Sequence, residues 1–226
     1  MSKWLNYAEW NERNERMSRV WVLKVSSWLM SNTAKKDSKN ILDYGCSYFD
    51  LGEILAPEFN EVHGFDIDQS ALNKAIVKKI PKSYFHHDSN LIPDAKFDII
   101  VISSVLQYFE SLTEVEKFFE LASSKLKKSM PSYILITDLI PSNYSSWKDA
   151  LENLLFASQH GILLPMTRHL LKAALKKADL ALLKIDKQDI TQIAEKYHFK
   201  INFLESNLTP SKRRYTCICE MPCALD

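Results

Sequence analysis

Residues 41–50 read ILDYGCSYFD, and this stretch decides the fold. An apolar run ends in the acid Asp43 and leads through Gly45 into small residues, the order of a buried strand followed by a ligand-binding loop. A dinucleotide-binding loop has three closely spaced glycines, whereas Tyr48 and Phe49 follow a single glycine here. The stretch therefore predicts a loop whose ligand contacts few exposed backbone N–H groups. Phe49 is expected to begin the next helix and to point into the sheet interior.

Short apolar runs alternate with amphipathic helical patterns along the chain from this stretch onward. The predicted strands are residues 40–44, 61–66, 83–88, 97–103 and 132–139, and the predicted helices are residues 50–57, 69–80 and 114–127. Thr113, with Glu116 three residues later, predicts a capping box at the start of the third helix. This alternation is typical of an α/β fold, a doubly wound and mostly parallel sheet with helices on both faces.

The last part of the chain has a different pattern. Asp189, with Gln192, predicts the start of a short helix that ends near Tyr197. Two β-rich runs at residues 199–205 and 213–221 follow with no helix between them, so we expect them to pair antiparallel. The sheet is therefore predicted to have seven strands, with an antiparallel last strand.

Two further helical regions flank the predicted sheet. Residues 2–32 carry a broad apolar helical face, so residues 1–35 are expected to form an N-terminal helical cap. Residues 141–187 form an insert with helical patterns at 147–158 and 168–178, the second preceded by Thr167. We predict that this insert is a substrate lid, and a plain helical cover of the sheet edge is the alternative. A length of 226 residues fits one domain with these additions.

Composition and charge argue against several kinds of protein. The net charge of +1 gives no general attraction to nucleic acid or to an anionic membrane. No apolar run reaches the roughly 18 residues of a membrane-spanning helix, and the polar first residues lack the apolar region of a signal peptide. A cytoplasmic location is therefore expected. The four cysteines include no CxxC pair, so no metal site is predicted.

Acidic side chains follow three of the predicted strands, at the edge where doubly wound sheets bind ligands. Asp66 lies 21 residues beyond Gly45, the spacing at which a carboxylate reaches a ribose diol. Asp88 is placed to accept a hydrogen bond from an exocyclic amine, and Asp43 repels phosphate beside the loop. A ligand with ribose, adenine and a cationic end suits these acids, and S-adenosylmethionine is such a ligand.

Several stretches in register resemble the class I S-adenosylmethionine-dependent methyltransferases of the small-molecule type. ILDYGCSYFD resembles the family's first motif, hhDhGCGxG, and HGFDID resembles the second. HHDSNLIPDAKFDIIVISSVLQYF resembles the third and fourth motifs run together. The likeness covers about residues 39–139 and then the final helix and strand pair. It implies S-adenosylmethionine as the cofactor, bound by Asp43, Gly45, Cys46, Ser47, Asp66, Ile67, Asp88, Ser89 and Ser103.

The resemblance also implies a role for each of these residues. The first four would hold the methionine part of the cofactor. Asp66 would hold the ribose hydroxyls, while Ile67 packs on the adenine face. Asp88 would meet the adenine amine with Ser89 beside it, and Ser103 would line the sulfonium side.

The methyl acceptor is less well indicated. Many relatives have a histidine after the fourth strand, where this chain has Gln107 and Tyr108. Arg168 and Gln107 are the candidate substrate contacts, and Arg168 beside His160 favours a small-molecule acceptor that carries a carboxylate or phosphate. The candidate catalytic bases are His160 and Tyr108, followed by His169 and Asp138.

Two other functions remain open from the sequence. A catalytically silent cofactor-binding or partner-binding protein on the same fold is favoured by the glycine-poor first motif and the missing histidine. A nucleic-acid methyltransferase is disfavoured by the neutral charge and by the lack of an Asn/Asp-Pro-Pro-Tyr motif. The sequence does not indicate an oligomeric state.

Overall fold

The structure, a computed structural model, describes residues 15–144, 146–159, 161, 163–164, 167 and 182–223. The strands in these ranges are β1 (Asn40–Tyr44), β2 (Glu61–Phe65), β3 (Ser83–His86), β4 (Ile99–Ser103), β5 (Ser132–Leu139), β6 (Lys200–Phe203) and β7 (Tyr215–Met221). The helices are α1 (Glu15–Asn32), α2 (Asp50–Leu55), α3 (Gln69–Val77), α4 (Leu112–Lys125), α5 (Ser146–Gln159) and α6 (Lys187–Lys196).

These seven strands form one sheet in the order β3-β2-β1-β4-β5-β7-β6. The pairs β1–β2, β1–β4, β2–β3 and β4–β5 are parallel. Strand β7 is antiparallel to both β5 and β6. The predicted α/β class, the mostly parallel seven-stranded sheet and the antiparallel last strand are therefore confirmed. The strand order reverses between β1 and β4, and such sheets bind ligands at the carboxyl ends of the strands beside that reversal.

Two apolar clusters hold the helices against the two faces of the sheet. One contains Phe119 from α4 and Ile190 from α6. The other contains Leu29 from α1, Leu55 from α2 and Leu72 from α3. Full burial of one such side chain stabilises the fold by about 1.5–3 kcal/mol. The clusters therefore fix the helices, and with them the loops at the carboxyl ends of the strands.

Helix α4 starts two residues before the predicted position, so the predicted capping box is wrong. The helix begins at Leu112 after Ser111, which places Thr113 inside the first turn. Glu114 provides the local contact instead, because its carboxylate accepts a hydrogen bond of 2.7 Å from the backbone N–H of Glu110. Sequence spacing alone did not separate these neighbouring positions.

Helix α6 also starts earlier than predicted, at Lys187 after Asp186. Asp189, expected to precede the helix, lies in its first turn and accepts a hydrogen bond of 3.2 Å from the backbone N–H of Asp186. The predicted helix at residues 147–158 is confirmed as α5, and the second predicted helix of the insert, at 168–178, lies outside the described residues. Of the predicted helix at residues 2–32, the part from Glu15 to Asn32 is confirmed and the rest lies outside the described residues. No described helix is both long and apolar enough to cross a membrane.

Candidate functional site

The loop after β1 has an unusual backbone. Gly45 has a φ of +83°, Ser47 a φ of +48° and Phe49 a φ of +63°. A residue with a side chain in this left-handed region costs roughly 1–2 kcal/mol. Three residues of the loop therefore have a left-handed backbone although only the first is a glycine. Contacts with the surrounding structure must hold the loop in this conformation.

Phe49 lies beneath this loop rather than in the path of a ligand. It immediately precedes α2 and is fully buried, as predicted. A Cβ atom on Gly52 would lie 2.1 Å from the Phe49 ring, and one on Gly64 would lie 2.8 Å from it. Both glycines are needed to make room for the ring. Burial of the ring, worth about 1.5–3 kcal/mol, offsets part of the strain in the loop.

Gly45 brings the loop close to the segment after β4. A Cβ atom on Gly45 would lie 2.4 Å from a methyl carbon of Val105, so only glycine fits here. The backbone N–H groups of Gly45 and Cys46 donate to the Phe65 carbonyl at the end of β2, at 2.8 and 3.0 Å. The Cys46 thiol is buried among the acids, and burial raises its pKa well above the ordinary value, so it stays neutral.

Asp66 links the end of β2 to the loop. One carboxylate oxygen accepts a hydrogen bond of 2.7 Å from the backbone N–H of Ser47, and the other accepts one of 2.8 Å from Asp68. The residue is 1% exposed and lines the cavity described below. Each carboxylate oxygen has a second lone pair. Asp66 therefore positions the loop and can still accept a hydrogen bond from a ligand hydroxyl.

Asp43, at the end of β1, is a buried acid without a hydrogen-bond donor among the described residues. Burial, together with the neighbouring charges of Asp66 and Asp50, raises its pKa to about 8. The ionised form is therefore disfavoured near neutral pH as long as no cation is close. This position suits a ligand that brings a positive charge.

A cavity of about 390 Å³ opens at the carboxyl ends of β1, β2 and β4. Five of the residues singled out from the sequence line it: Gly45, Asp66, Ile67, Ser89 and Tyr108. Ile67 is 60% exposed, which leaves its side chain available to pack on a flat ring. Aromatic walls come from Tyr44, Phe65 and Phe118, the first two with ring centroids 4.5 Å apart.

Two other predicted contacts have partners within the chain. The Asp88 carboxylate accepts a hydrogen bond of 2.9 Å from the backbone N–H of Asn90 and so caps the short turn that follows β3. The Ser103 hydroxyl is 2.8 Å from the hydroxyl of Thr137 on β5. Each retains hydrogen-bonding capacity, and neither side chain lines the cavity in its present position.

A second buried polar group lies at the carboxyl ends of β4 and β5, and we call it the Asp138–Arg214 cluster. It consists of Ser104, Gln107, Asp138, Tyr144, Thr209 and Arg214. Arg214 donates to Asp138 at 2.8 Å and to Gln107 at 2.7 Å. The cluster adjoins the cavity, because Val105 and Tyr108 on either side of Gln107 line it.

Asp138 enters this cluster from a strained backbone conformation. The β5–β7 register shifts between Ile136 and Leu139, and Asp138 within the shift has a φ of +69°. Its carboxylate accepts from Ser104, Thr209 and Arg214. With its lone pairs used in this way Asp138 is poorly placed to act as a base. Gln107 was singled out from the sequence, but Arg214 was not, since no motif marks it.

The remaining candidates of the insert lie outside the described residues. These are His160, Arg168 and His169. Tyr108 is therefore the candidate base that the structure places at the cavity.

A comparison with protein families matches residues 12–185 to the family described as "Methyltransferase domain". The chain belongs to this methyltransferase family. The motif pattern that the loop resembles has glycine at the positions of Ser47 and Phe49, and both residues have the left-handed φ angles that glycine adopts most readily. A search of curated proteins finds no matching sequence.

Solved methyltransferase structures share the fold. Magnesium protoporphyrin IX methyltransferase (ChlM) from Synechocystis PCC 6803, with bound S-adenosylhomocysteine (SAH), is 17% identical with a TM-score of 0.57, over 88% of this chain and 80% of that chain. The N-methyltransferase NodS from Bradyrhizobium japonicum, in complex with SAH, is 17% identical with a TM-score of 0.54, over 92% and 87%. A methyltransferase from Methanosarcina mazei is 16% identical with a TM-score of 0.58, over 86% and 97%. At such identities the likeness establishes the fold.

Proposed function

We propose that the protein transfers a methyl group from S-adenosylmethionine to a small-molecule acceptor. The observation that carries this proposal is the state of Asp43, a buried carboxyl with a raised pKa and no donor among the described residues. S-adenosylmethionine has two positive groups, the sulfonium and the α-ammonium. A cation beside Asp43 would favour its ionised form and release the proton that burial retains.

The rest of the site fits the same cofactor. The loop of Gly45, Cys46 and Ser47 would hold the methionine part together with Asp43. Asp66 would accept from the ribose hydroxyls. The exposed Ile67 would pack on the adenine opposite the aromatic wall.

Three further residues complete the proposed cofactor contacts. Asp88 would accept from the adenine amine with its free lone pairs, and its neighbour Ser89 lines the cavity. Ser103, at the end of β4, would lie on the sulfonium side. The bound cofactor supplies a methyl group that positive sulfur already activates.

The protein has to align the acceptor with that methyl group, exclude water and remove a proton where the acceptor requires it. Tyr108, which lines the cavity, would hold that proton. His160 is the alternative base, and Arg168, with Gln107, would contact an acceptor that carries a carboxylate or phosphate. In this proposal residues 141–187 form a lid over the acceptor.

Two similar structures support a small-molecule acceptor. The printed names of ChlM and NodS describe a magnesium protoporphyrin IX methyltransferase and an N-methyltransferase. Both proteins have this fold. The fold is therefore compatible with several acceptors, and the acceptor of this protein has to be found by experiment.

One observation favours a second function, a catalytically silent cofactor-binding protein. Two of the three family glycines in the first motif are replaced, and the strain at Ser47 and Phe49 lowers the stability of the binding loop. A silent protein would tolerate such a loss more easily than an enzyme.

Isothermal titration calorimetry with SAH tests the proposal. Titrations near neutral pH in two buffers of different ionisation enthalpy should show binding with release of a proton, because Asp43 ionises beside the α-ammonium. Absence of SAH binding would refute the proposed cofactor. Methyl transfer from labelled S-adenosylmethionine to a panel of carboxylate and phosphate metabolites then separates the enzyme from the silent protein.

A further inference from the structure

We propose that Lys78 is a positioning residue that holds the loop of residues 45–49 in its binding shape and so controls affinity for the methionine half of the cofactor. This inference rests on the proposed function. Lys78 directly follows α3, outside the motifs that identified the family. Its amino group reaches across to the strained loop.

The contacts of Lys78 converge on the loop and the start of α2. The Nζ atom donates to the backbone carbonyl of Tyr48 at 2.8 Å. It also contacts Asp50 Oδ1 at 3.2 Å and Glu53 Oε2 at 3.0 Å. The lysine thus bonds to the residue between the two left-handed positions and to the helix that follows them.

These contacts supply a restraint that glycines at positions 47 and 49 would not need. A glycine adopts a left-handed φ readily, whereas Ser47 and Phe49 need surroundings that favour it. Asp66 holds the Ser47 N–H on the ribose side. Lys78 holds the Tyr48 carbonyl, so two consecutive residues of the loop are each bonded to a side chain from another part of the chain.

Lys78 also balances charge among the acids of the site. Asp50 is 5% exposed, and its charge contributes to the raised pKa of Asp43. The ammonium of Lys78 pairs with Asp50, and it favours the ionised form of the Cys46 thiol against the effect of burial. Without Lys78 the acids would repel one another more strongly across the loop, and Asp50 would be left buried without this partner.

The effect of Lys78 should be specific to one half of the cofactor. Its contacts lead to residues 48, 50 and 53, beside the segment proposed to hold the methionine carboxylate and ammonium. The adenosine half would instead meet Ile67 and Ser89, which line the cavity. A ligand without the amino-acid end should therefore bind almost independently of Lys78.

The test compares SAH with 5′-methylthioadenosine, which lacks the amino-acid end, by calorimetry on the full chain. Lys78→Met should raise the Kd for SAH about tenfold or more and change the Kd for 5′-methylthioadenosine less than twofold. Lys78→Arg, which keeps a charge and several donors, should recover most of the SAH affinity. Lys79→Met is the matched control, since Lys79 is an exposed neighbour, and it should bind both ligands as the wild type does.

Equal losses for the two ligands, or no loss for SAH, would overturn the positioning role. If Lys78→Met does not fold, as judged by its melting curve, Lys78→Gln decides, because it keeps a donor for the Tyr48 carbonyl without the charge. It should give a smaller loss that is again confined to SAH, and a loss shared by both ligands would overturn the role. Failure of the wild type to bind SAH is a distinct result that overturns the proposed function and this inference with it.

Discussion

Two buried aspartates at the same edge of the sheet differ in the partners that surround their carboxyl groups. Asp138, at the end of β5, accepts from two hydroxyls and pairs with Arg214 at 2.8 Å. Asp43, at the end of β1, receives no hydrogen bond from a described residue, and its pKa is raised to about 8. Burial alone does not distinguish them, since both are less than 10% exposed.

The difference separates structural from ligand-directed acids. A buried acid with its partners in the chain stabilises the fold around it and has little left to offer a ligand. A buried acid without partners destabilises the empty protein and favours any ligand that brings a cation. We therefore expect changes around Asp138 to act on stability, and changes around Asp43 to act on cofactor binding.

The largest expected effect comes from breaking the Asp138–Arg214 pair. Arg214→Met leaves the Asp138 carboxylate buried without its cation, which should lower the free energy of unfolding by about 3–5 kcal/mol. Chemical denaturation followed by circular dichroism measures this change. Arg213→Met is the matched control, because the Arg213–Glu152 pair is half-exposed and worth about 0–1 kcal/mol. Equal effects from the two variants would contradict the structural role of the cluster.

On the ligand side the largest effect is expected at Asp66. Asp66→Ala should weaken SAH binding by about 1.5–3 kcal/mol, the scale of a hydrogen bond to a charged group. Calorimetry is run at a temperature where circular dichroism shows both proteins folded, because Asp66 also holds the Ser47 N–H. Asp37→Ala, an exposed acid before β1, serves as the control. Equal affinity in wild type and Asp66→Ala would remove the ribose assignment.

Replacing Asp43 should raise the stability of the ligand-free protein and weaken cofactor binding. Its pKa in the folded protein, about 8, lies above the ordinary value of 3.8, so the folded state holds the extra proton between these values. The stability that Asp43 contributes is complete below pH 3.8 and is lost as the pH rises through 8. Asp43→Asn does not titrate, so at pH 8.5 it should make the ligand-free protein about 1–3 kcal/mol more stable, the usual scale for a buried group without partners.

The same variant should bind SAH more weakly and release no proton on binding. Denaturation curves at several pH values, with and without SAH, measure both effects. If the wild-type and Asp43→Asn stabilities ran parallel across this pH range, the buried acid would not be the source of the pH dependence.

The smallest effect is expected at Asp88. Asp88→Asn keeps an oxygen that can cap the turn at Asn90, so the melting temperature should not change. If Asp88 meets the adenine amine as proposed, loss of its charge should weaken SAH binding by about 0.5–1.5 kcal/mol. Unchanged binding in calorimetry, with an unchanged melting temperature, would leave Asp88 as a turn residue only.

The strand ends were predictable from the sequence, because the pattern of apolar residues and the spacing of the acids that follow mark them. Asp43, Gly45 and Asp66 lie beside apolar runs at distances that the fold constrains, and the structure brings them together. Helix starts were less predictable. Thr113 and Ser111 are equally plausible caps by type, and the helix begins directly after Ser111.

The restraints on the site were not predictable. The residue types of Ser47 and Phe49 do not indicate a left-handed backbone, since glycine is the residue that usually marks one. Arg214 is separated from Asp138 by more than seventy residues and belongs to no motif. The contacts of Lys78 were not predictable for the same reason, because its partners lie on another helix and on a loop. Contacts between distant parts of the chain appear only once the fold is known.

The position of β7 has a consequence for biosynthesis. This strand of 7 residues is inserted between β5 and β6, although it is made after both of them. On the ribosome β5 and β6 therefore cannot be joined until residues Tyr215–Met221 have emerged from the exit tunnel. During that interval both strands present open edges, which are the sites where chains pair with one another. A pause in translation before Arg214 would prolong the interval and expose the nascent chain to misassembly.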